Sequence, residues 1–324
     1  ISEISSNSRT LSIEHYLLTS SDFNPVIDNW RSELSAEIAD IEKMLERERS
    51  RDFAALKNLG NYHALIIGNN DYKYIDPLST AVSDAEAIDA VLRDQYGYKT
   101  ELLKNASRSE ILKALNSYRR TLGQADNFLL FYAGHGIMDP DTGVGYWQPI
   151  DAEFADDSNW IPSERITNVL TGMLANNVML IVDSCYSGAI LPVFRATGAP
   201  ALSKETSGQI FNRLHSKKSR IALTSGGLEP VVDSIGGSPN SVFTGEVVKY
   251  LRQNSTVLTA TDLHQVIRDR VIPLTSGVSN QTPELRRILA AGDDAGGDFL
   301  FLPAPPTVSA LSSHIKFPAS SHYP

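Results

Sequence analysis

Apolar runs that alternate with amphipathic helical stretches predict an α/β fold, a central and mostly parallel sheet with helices on both faces. Three observations carry that reading. Residues 127–132 (NFLLFY) and 178–182 (VMLIV) are almost wholly apolar, as strands covered on both faces must be. Candidate strands and helices take turns along most of the chain. Of the 324 residues 42% are hydrophobic, enough for a sizeable core and far too many for a disordered chain.

The elements follow in order. Residues 1–22 form a polar, Ser-rich lead. Between about residues 23 and 59, Ile27, Leu34 and Ile41 recur every seven positions, and Trp30, Ile38 and Leu45 fill the neighbouring stripe. With Pro25 at its start and Glu42, Arg47, Glu48 and Arg51 on a charged face, this is a long amphipathic helix. An accessory helix laid over the main domain is the expectation, a short coiled coil the alternative. After Gly60, strands are expected at 62–67, 99–103, 127–132, 178–182 and 220–224, with late ones near 285–289 and 299–302. Helices are expected at 81–92, from a Ser107 or Ser109 cap to Tyr118, and at 162–174, 242–251 and 261–271. Residues 189–220 read as a mixed, loop-like linker within a principal domain of 60–303. Residues 304–324 form a polar Pro/Ser-rich tail.

Composition removes several function classes. A single Cys excludes an intramolecular disulfide framework and a multi-thiolate zinc site. A net charge of −9, from 38 acidic and 29 basic residues, does not favour nucleic acid as a partner. The longest apolar runs fall well short of a membrane span, and no membrane partner is expected. Neither GxGxxG nor GxxxxGK[ST] follows the first strand, and no GxSxG elbow occurs. The opening ISEISSNSRT, without Met or signal pattern, suggests a processed or excised piece, so no compartment is readable and a cytoplasmic setting is only the default.

In parallel α/β sheets, ligands gather at the carboxyl ends of the strands. The 127–132 strand runs into Ala133, Gly134, His135 and Gly136, and the 178–182 strand into Asp183, Ser184 and Cys185. An imidazole beside a thiol lowers its pKa or moves its proton, and the thiolate attacks a carbonyl carbon. The imidazole then protonates the leaving amine, and backbone N–H groups at Gly136 and Cys185 can receive the oxyanion. On the residues alone, an ordinary buried Cys185 and a plain loop His135 stand as the alternative.

The segments YHALIIGNNDY (62–72), LLFYAGHG (129–136), GYWQPIDA (145–152) and VMLIVDSCYSG (178–188) are similar to the caspase-like cysteine peptidases, in the metacaspase and bacterial orthocaspase branch. Cys185 follows His135 by fifty residues, as in the caspase signature, although it lies in DSCYSG rather than a QAC-type motif. The resemblance spans about residues 60–303. It implies a caspase-like sandwich and a Cys185–His135 endopeptidase cleaving after basic residues, Arg before Lys. It also implies an acidic pocket of Asp84 and Asp183 for that residue. Ala81 and Ala133 replace a cysteine and a serine usual in that pocket, and Ala133 and Ser225 are further expected substrate contacts.

A carboxylate pair in a desolvated pocket favours a guanidinium and repels an acid; a solvated helix-start Asp84 is the competing view. The partner implied is thus a peptide or protein with a basic residue at the cut. A monomer is expected, with sheet-edge dimerisation as the alternative.

The resemblance also makes 189–220 a linker open to self-cleavage, at Arg195, Lys204, Arg213, Lys217, Lys218 or Arg220. No cofactor is required by this reading. Calcium is the one left open, with Asp151, Asp156 and Asp157 as candidate ligands beside Glu153. Against it, Pro192 stands where calcium-dependent members carry Asp, and a solvated acidic loop is the simpler account. A catalytically silent scaffold is the other functional class, but it needs a lost nucleophile or base, and both residues are present.

Overall fold

The computed structural model describes residues 28–41, 43, 44, 47, 56, 59–184, 205–226, 237–279 and 281–304. Residues 28–41 form helix α1, within a unit separate from the rest of the chain. The stripe residues Trp30, Leu34, Ile38 and Ile41 all lie on it and are exposed. Ile27 and Leu45 lie outside the described residues.

The second unit alternates strand and helix. In order come β1 (Tyr62–Gly68), α2 (Ala81–Tyr96), β2 (Lys99–Lys104), α3 (Arg108–Thr121) and β3 (Asn127–Ala133). Three short strands follow, β4 (Gly136–Met138), β5 (Gly145–Trp147) and β6 (Ile161–Pro162), then α4 (Ser163–Thr171) and β7 (Asn177–Asp183). The remainder is α5 (Ser207–Ser216), β8 (Ser219–Thr224), α6 (Val242–Gln253), β9 (Leu258–Thr259), α7 (Ala260–Thr275), β10 (Glu284–Arg287) and β11 (Leu300–Phe301).

Six strands make the main sheet in the order β10-β8-β7-β3-β1-β2. All its pairings are parallel except β10 on β8. The expected α/β class holds. The expected strand near 299–302 forms as β11, but it pairs with β9 in a separate two-stranded sheet.

Every residue of β3 and β7 is buried, and alternate side chains feed two cores. Leu129, Phe131, Met179 and Ile181 pack with α2, α6 and α7. Phe128, Leu130, Val178 and Leu180 pack with α3, α4 and Trp147. A strand that feeds both faces has no polar position to give away, which is why its sequence reads as one apolar run. Each such side chain contributes about 1.5–3 kcal/mol when fully buried.

Local signals place the helices. Ser107 and Glu110 form a reciprocal capping box that starts α3. Gly97 ends α2 in the left-handed conformation, its N–H bonded to Leu92 O. The expectation of loop through residue 220 fails in its second half. Thr206 and Gln209 make another capping box and residues 207–216 are helical. Arg220 lies in β8, fully buried, its guanidinium donating to the carbonyls of Met173, Ala175, Asn176 and Ser219. It is a tie between β8 and the turn before β7, not an exposed cleavage point. Among the described residues, no helix is long and apolar enough to cross a membrane.

Candidate active site

The sheet register brings the two motif-bearing strand ends side by side. Ala133 pairs with Asp183, and the Gly134 N–H donates to Asp183 O at 3.3 Å. His135 and Ser184 therefore leave the sheet from neighbouring strands on its carboxyl edge. Cys185 follows Ser184 directly and lies outside the described residues.

The loop carrying His135 is held from three sides. Its N–H donates to Tyr72 Oη at 2.7 Å, and the two rings lie 4.7 Å apart. Its carbonyl accepts the Gln148 N–H at 3.0 Å and lies 2.8 Å from the Tyr132 hydroxyl. Tyr132 stacks on Trp147 with ring centroids 4.2 Å apart. This packing favours glycine at 134, since a Cβ there would stand 2.7 Å from Tyr72 Oη and 2.8 Å from Tyr132 Oη and would force one of the rings to shift. Burial raises the pKa of both tyrosines, so each remains a neutral phenol.

The ring itself is only half-buried, and its Nε2 lies 2.8 Å from Asp76 O. A carbonyl oxygen can only accept, so this contact assigns the ring proton to Nε2 in the neutral imidazole. Nδ1 then carries the lone pair.

Beside His135 opens a cavity of about 310 Å³, lined in part by Asp84, Ala133, Asp183, Ser184 and Ser241. Asp84, from the first turn of α2, is 1% exposed, which removes the view of it as a solvated helix-start residue. Its Oδ1 accepts from Asn240 Nδ2 at 2.9 Å and from the Ser241 N–H at 3.0 Å. Asp183 is buried too, and its Oδ2 accepts from the hydroxyls of Ser241 and Thr244. Burial first, and then the charge of Asp183, push the Asp84 carboxyl well above the usual carboxylate range.

The other expected residues fall elsewhere. Gly136 opens β4 and pairs with Trp147. Ser225 is fully buried, its N–H bonded to Val182 O, and it is not among the lining residues of the cavity. Two carboxylates of the acidic loop bond main-chain groups. Asp151 Oδ1 accepts the Arg108 N–H at the start of α3, and Asp156 Oδ1 caps the turn at Ser158. Among the described residues no group of three or more His, Cys, Asp or Glu side chains is arranged to hold a metal ion.

Sequence reasoning missed Tyr72, the Asp76 carbonyl, Asn240, Ser241 and Thr244. Tyr72 lay inside a quoted motif, and Ser241 precedes a helix as an N-cap. The Asp76 contact runs through the main chain and leaves no trace in residue type.

Residues 61–291 match the family model described as the caspase domain, a peptidase family. The chain is 27% identical over 163 residues to Metacaspase-1 of Eremothecium gossypii, covering 44% of this chain and 35% of that one. To Metacaspase-1A of Neurospora crassa it is 28% identical over 172 residues, covering 45% and 37%. It thus spans about a third of the length of these curated relatives. The crystal structure of a protein from Geobacter sulfurreducens is similar in fold, with a TM-score of 0.50 at 18% identity over 70% of this chain and 93% of that one. The family match runs through every strand of the main sheet and both motif-bearing edges, and the chain belongs to the caspase domain family, with metacaspases among its relatives.

Proposed function

We propose that this chain is a cysteine endopeptidase that cleaves after basic residues, Arg before Lys, with Cys185 as nucleophile and His135 as its base. The observation that carries the specificity is the pair of buried carboxylates, Asp84 and Asp183, lining a cavity that also borders His135 and Ser184. A buried acid pair is repulsive by itself and welcomes a cation. A guanidinium offers planar paired donors to carboxylates, whereas an acidic side chain is expelled.

In the reaction, His135 Nδ1 takes the Cys185 proton and the thiolate attacks the carbonyl carbon of the scissile bond. The tetrahedral oxyanion is received by backbone N–H groups at Gly136 and Cys185. The imidazolium then protonates the departing amine. Water, deprotonated by the neutral His135, hydrolyses the thioester and frees the carboxyl product. Nε2 bonded to Asp76 O keeps the imidazole in the required tautomer through both halves of the cycle.

The same reading locates self-processing. Arg220 is fully buried in β8, out of reach of a cleft, and Arg213 sits in the helix α5 with an ion pair to Glu205, so neither is offered as the accessible, extended backbone a peptidase takes. Arg195 and Lys204, which lie outside the described residues, are the sites this proposal favours.

The test uses fluorogenic peptides ending in Arg, Lys or Asp, run with and without calcium on the wild type and Cys185→Ala. Cleavage after Arg that vanishes in the variant is the expected result. Cleavage after Asp instead would overturn the pocket assignment and leave the fold untouched.

A further inference from the structure

Asp84 and Asp183 come from different elements, the first turn of α2 and the end of β7, yet both are bonded to the start of α6. Ser241 touches each of them. Its main-chain N–H donates to Asp84 Oδ1, and its side-chain hydroxyl donates to Asp183 Oδ2. That hydroxyl has a single proton, and a carboxylate can only accept, so the contact with Asp183 uses it. Its lone pair accepts the Thr244 N–H at 2.9 Å, which is the N-cap bond of α6. The side chain is thereby held in one rotamer from two directions, and it is buried. Asn240 adds a second donor to Asp84 and Thr244 a second donor to Asp183, at 2.9 and 2.7 Å. The separation of the two acids is therefore referred to one residue, and the partial positive charge of the helix start favours their ionised forms.

We propose that Ser241 is a positioning residue that sets the spacing of the Asp84 and Asp183 carboxylates, and through that spacing makes the pocket discriminate a guanidinium from an ammonium. This rests on the pocket taking a basic side chain, as argued above. A guanidinium presents donors in a rigid planar fork, so its match to two carboxylates depends on how far apart they are held. An ammonium is a compact charge with rotatable donors and tolerates a change in that distance.

The experiment measures kcat and KM on peptides identical except for Arg or Lys at the cleaved position, with the wild type, Ser241→Ala, Ser241→Thr and Thr244→Val. Removing one hydrogen bond to a charged group in Ser241→Ala is expected to lower the Arg-to-Lys ratio of kcat/KM by about tenfold. The loss should lie in KM for the Arg peptide, with kcat for the Lys peptide retained. Ser241→Thr, which keeps the hydroxyl, restores the ratio. Thr244→Val removes a donor to Asp183 but leaves the Ser241 cap, and shifts the ratio the same way by a smaller factor.

A fall in kcat for both peptides at an unchanged ratio would mean that Ser241 only caps α6, and the proposal would be wrong. Should Ser241→Ala not fold, Thr244→Val decides, and an unchanged ratio there overturns the proposal. Wild type that cleaves after Asp, and after neither Arg nor Lys, refutes the basic-pocket reading itself, an outcome visible before any variant is made.

Discussion

The two ends of the central sheet both bury polar groups, but of opposite kinds. At the amino end, Asn127, Asn177 and Ser219 begin β3, β7 and β8 and form a neutral ladder. Asn177 Nδ2 donates to Asn127 Oδ1, Ser219 Oγ donates to Asn177 Oδ1, and Asn127 Nδ2 donates to Leu59 O. Asn177 also donates to His215 O, and burial keeps the pKa of that histidine low. At the carboxyl end the buried groups are two acids, and the pKa of Asp84 is raised by burial first and then by the charge of Asp183. A neutral network closed on itself stabilises and specifies the fold. A like-charged pair held rigid is useful only when something arrives to neutralise it.

The sharpest way to break this contrast is to remove charge from the carboxyl end. Asp183→Asn should cut kcat/KM for Arg peptides by about 10²-fold or more, as removal of a buried, charged partner does. Its melting temperature should stay at or above that of the wild type, because the buried charge beside Asp84 is gone. A parallel loss of stability would place Asp183 with the structural polar groups instead.

The converse change is Asn177→Ala. It leaves Asn127 Oδ1 and Ser219 Oγ without their partner and is expected to cost about 2–4 kcal/mol in denaturant unfolding. The Arg-to-Lys ratio of surviving enzyme should be unchanged. A shift in that ratio would show that the two ends are coupled.

The pH dependence sharpens the comparison further. Without a cationic ligand, the folded chain keeps a proton on Asp84 at pH values where the unfolded chain has lost it. The stability that Asp84 contributes is then complete below the ordinary carboxylate pKa and is lost as pH rises through the raised one, by at most about 1.4 kcal/mol per pH unit. A cation in the pocket displaces that proton, so benzamidine should raise the melting temperature more at pH 8 than at pH 6. Asp84→Asn should flatten this trend, and persistence of the trend in that variant would remove Asp84 as its source.

The smallest effect is expected from Tyr72→Phe. It removes the acceptor of the His135 N–H but keeps the ring against the imidazole, and about 1 kcal/mol in kcat/KM is the scale of one such bond. Steady-state kinetics should show the change in kcat, with KM and the Arg-to-Lys ratio held. A change in KM alone would instead make Tyr72 part of the substrate cleft.

What could be read in advance follows a physical line. Residues 127–132 and 178–182 announced buried strands, because a strand with a core on each face must be apolar throughout. His135 was legible because it follows such a strand directly. Asp84 was legible only through resemblance, since one Asp near a helix start says nothing of its burial. Ser241 was invisible, because its importance lies in joining positions 84 and 183, and no periodicity links those numbers. Helix α5 was missed although Thr206 and Gln209 spell a capping box. It buries only Gly208 and His215 of its ten residues, too little to print an apolar stripe. The strands β4, β5 and β6, two or three residues each, are shorter than any alternation can reveal.

The parallel pairing of β7 with β8, from Asn177 on Ser219 to Val182 on Thr224, spans the stretch in which cleavage is proposed. A single cut between residues 189 and 205 would sever the backbone but leave that seam, and Asp84, Asp183 and Ser241 would still meet although carried on two polypeptides. The nicked enzyme should therefore migrate as one species in native gel filtration and as two bands in denaturing electrophoresis, its pocket undivided.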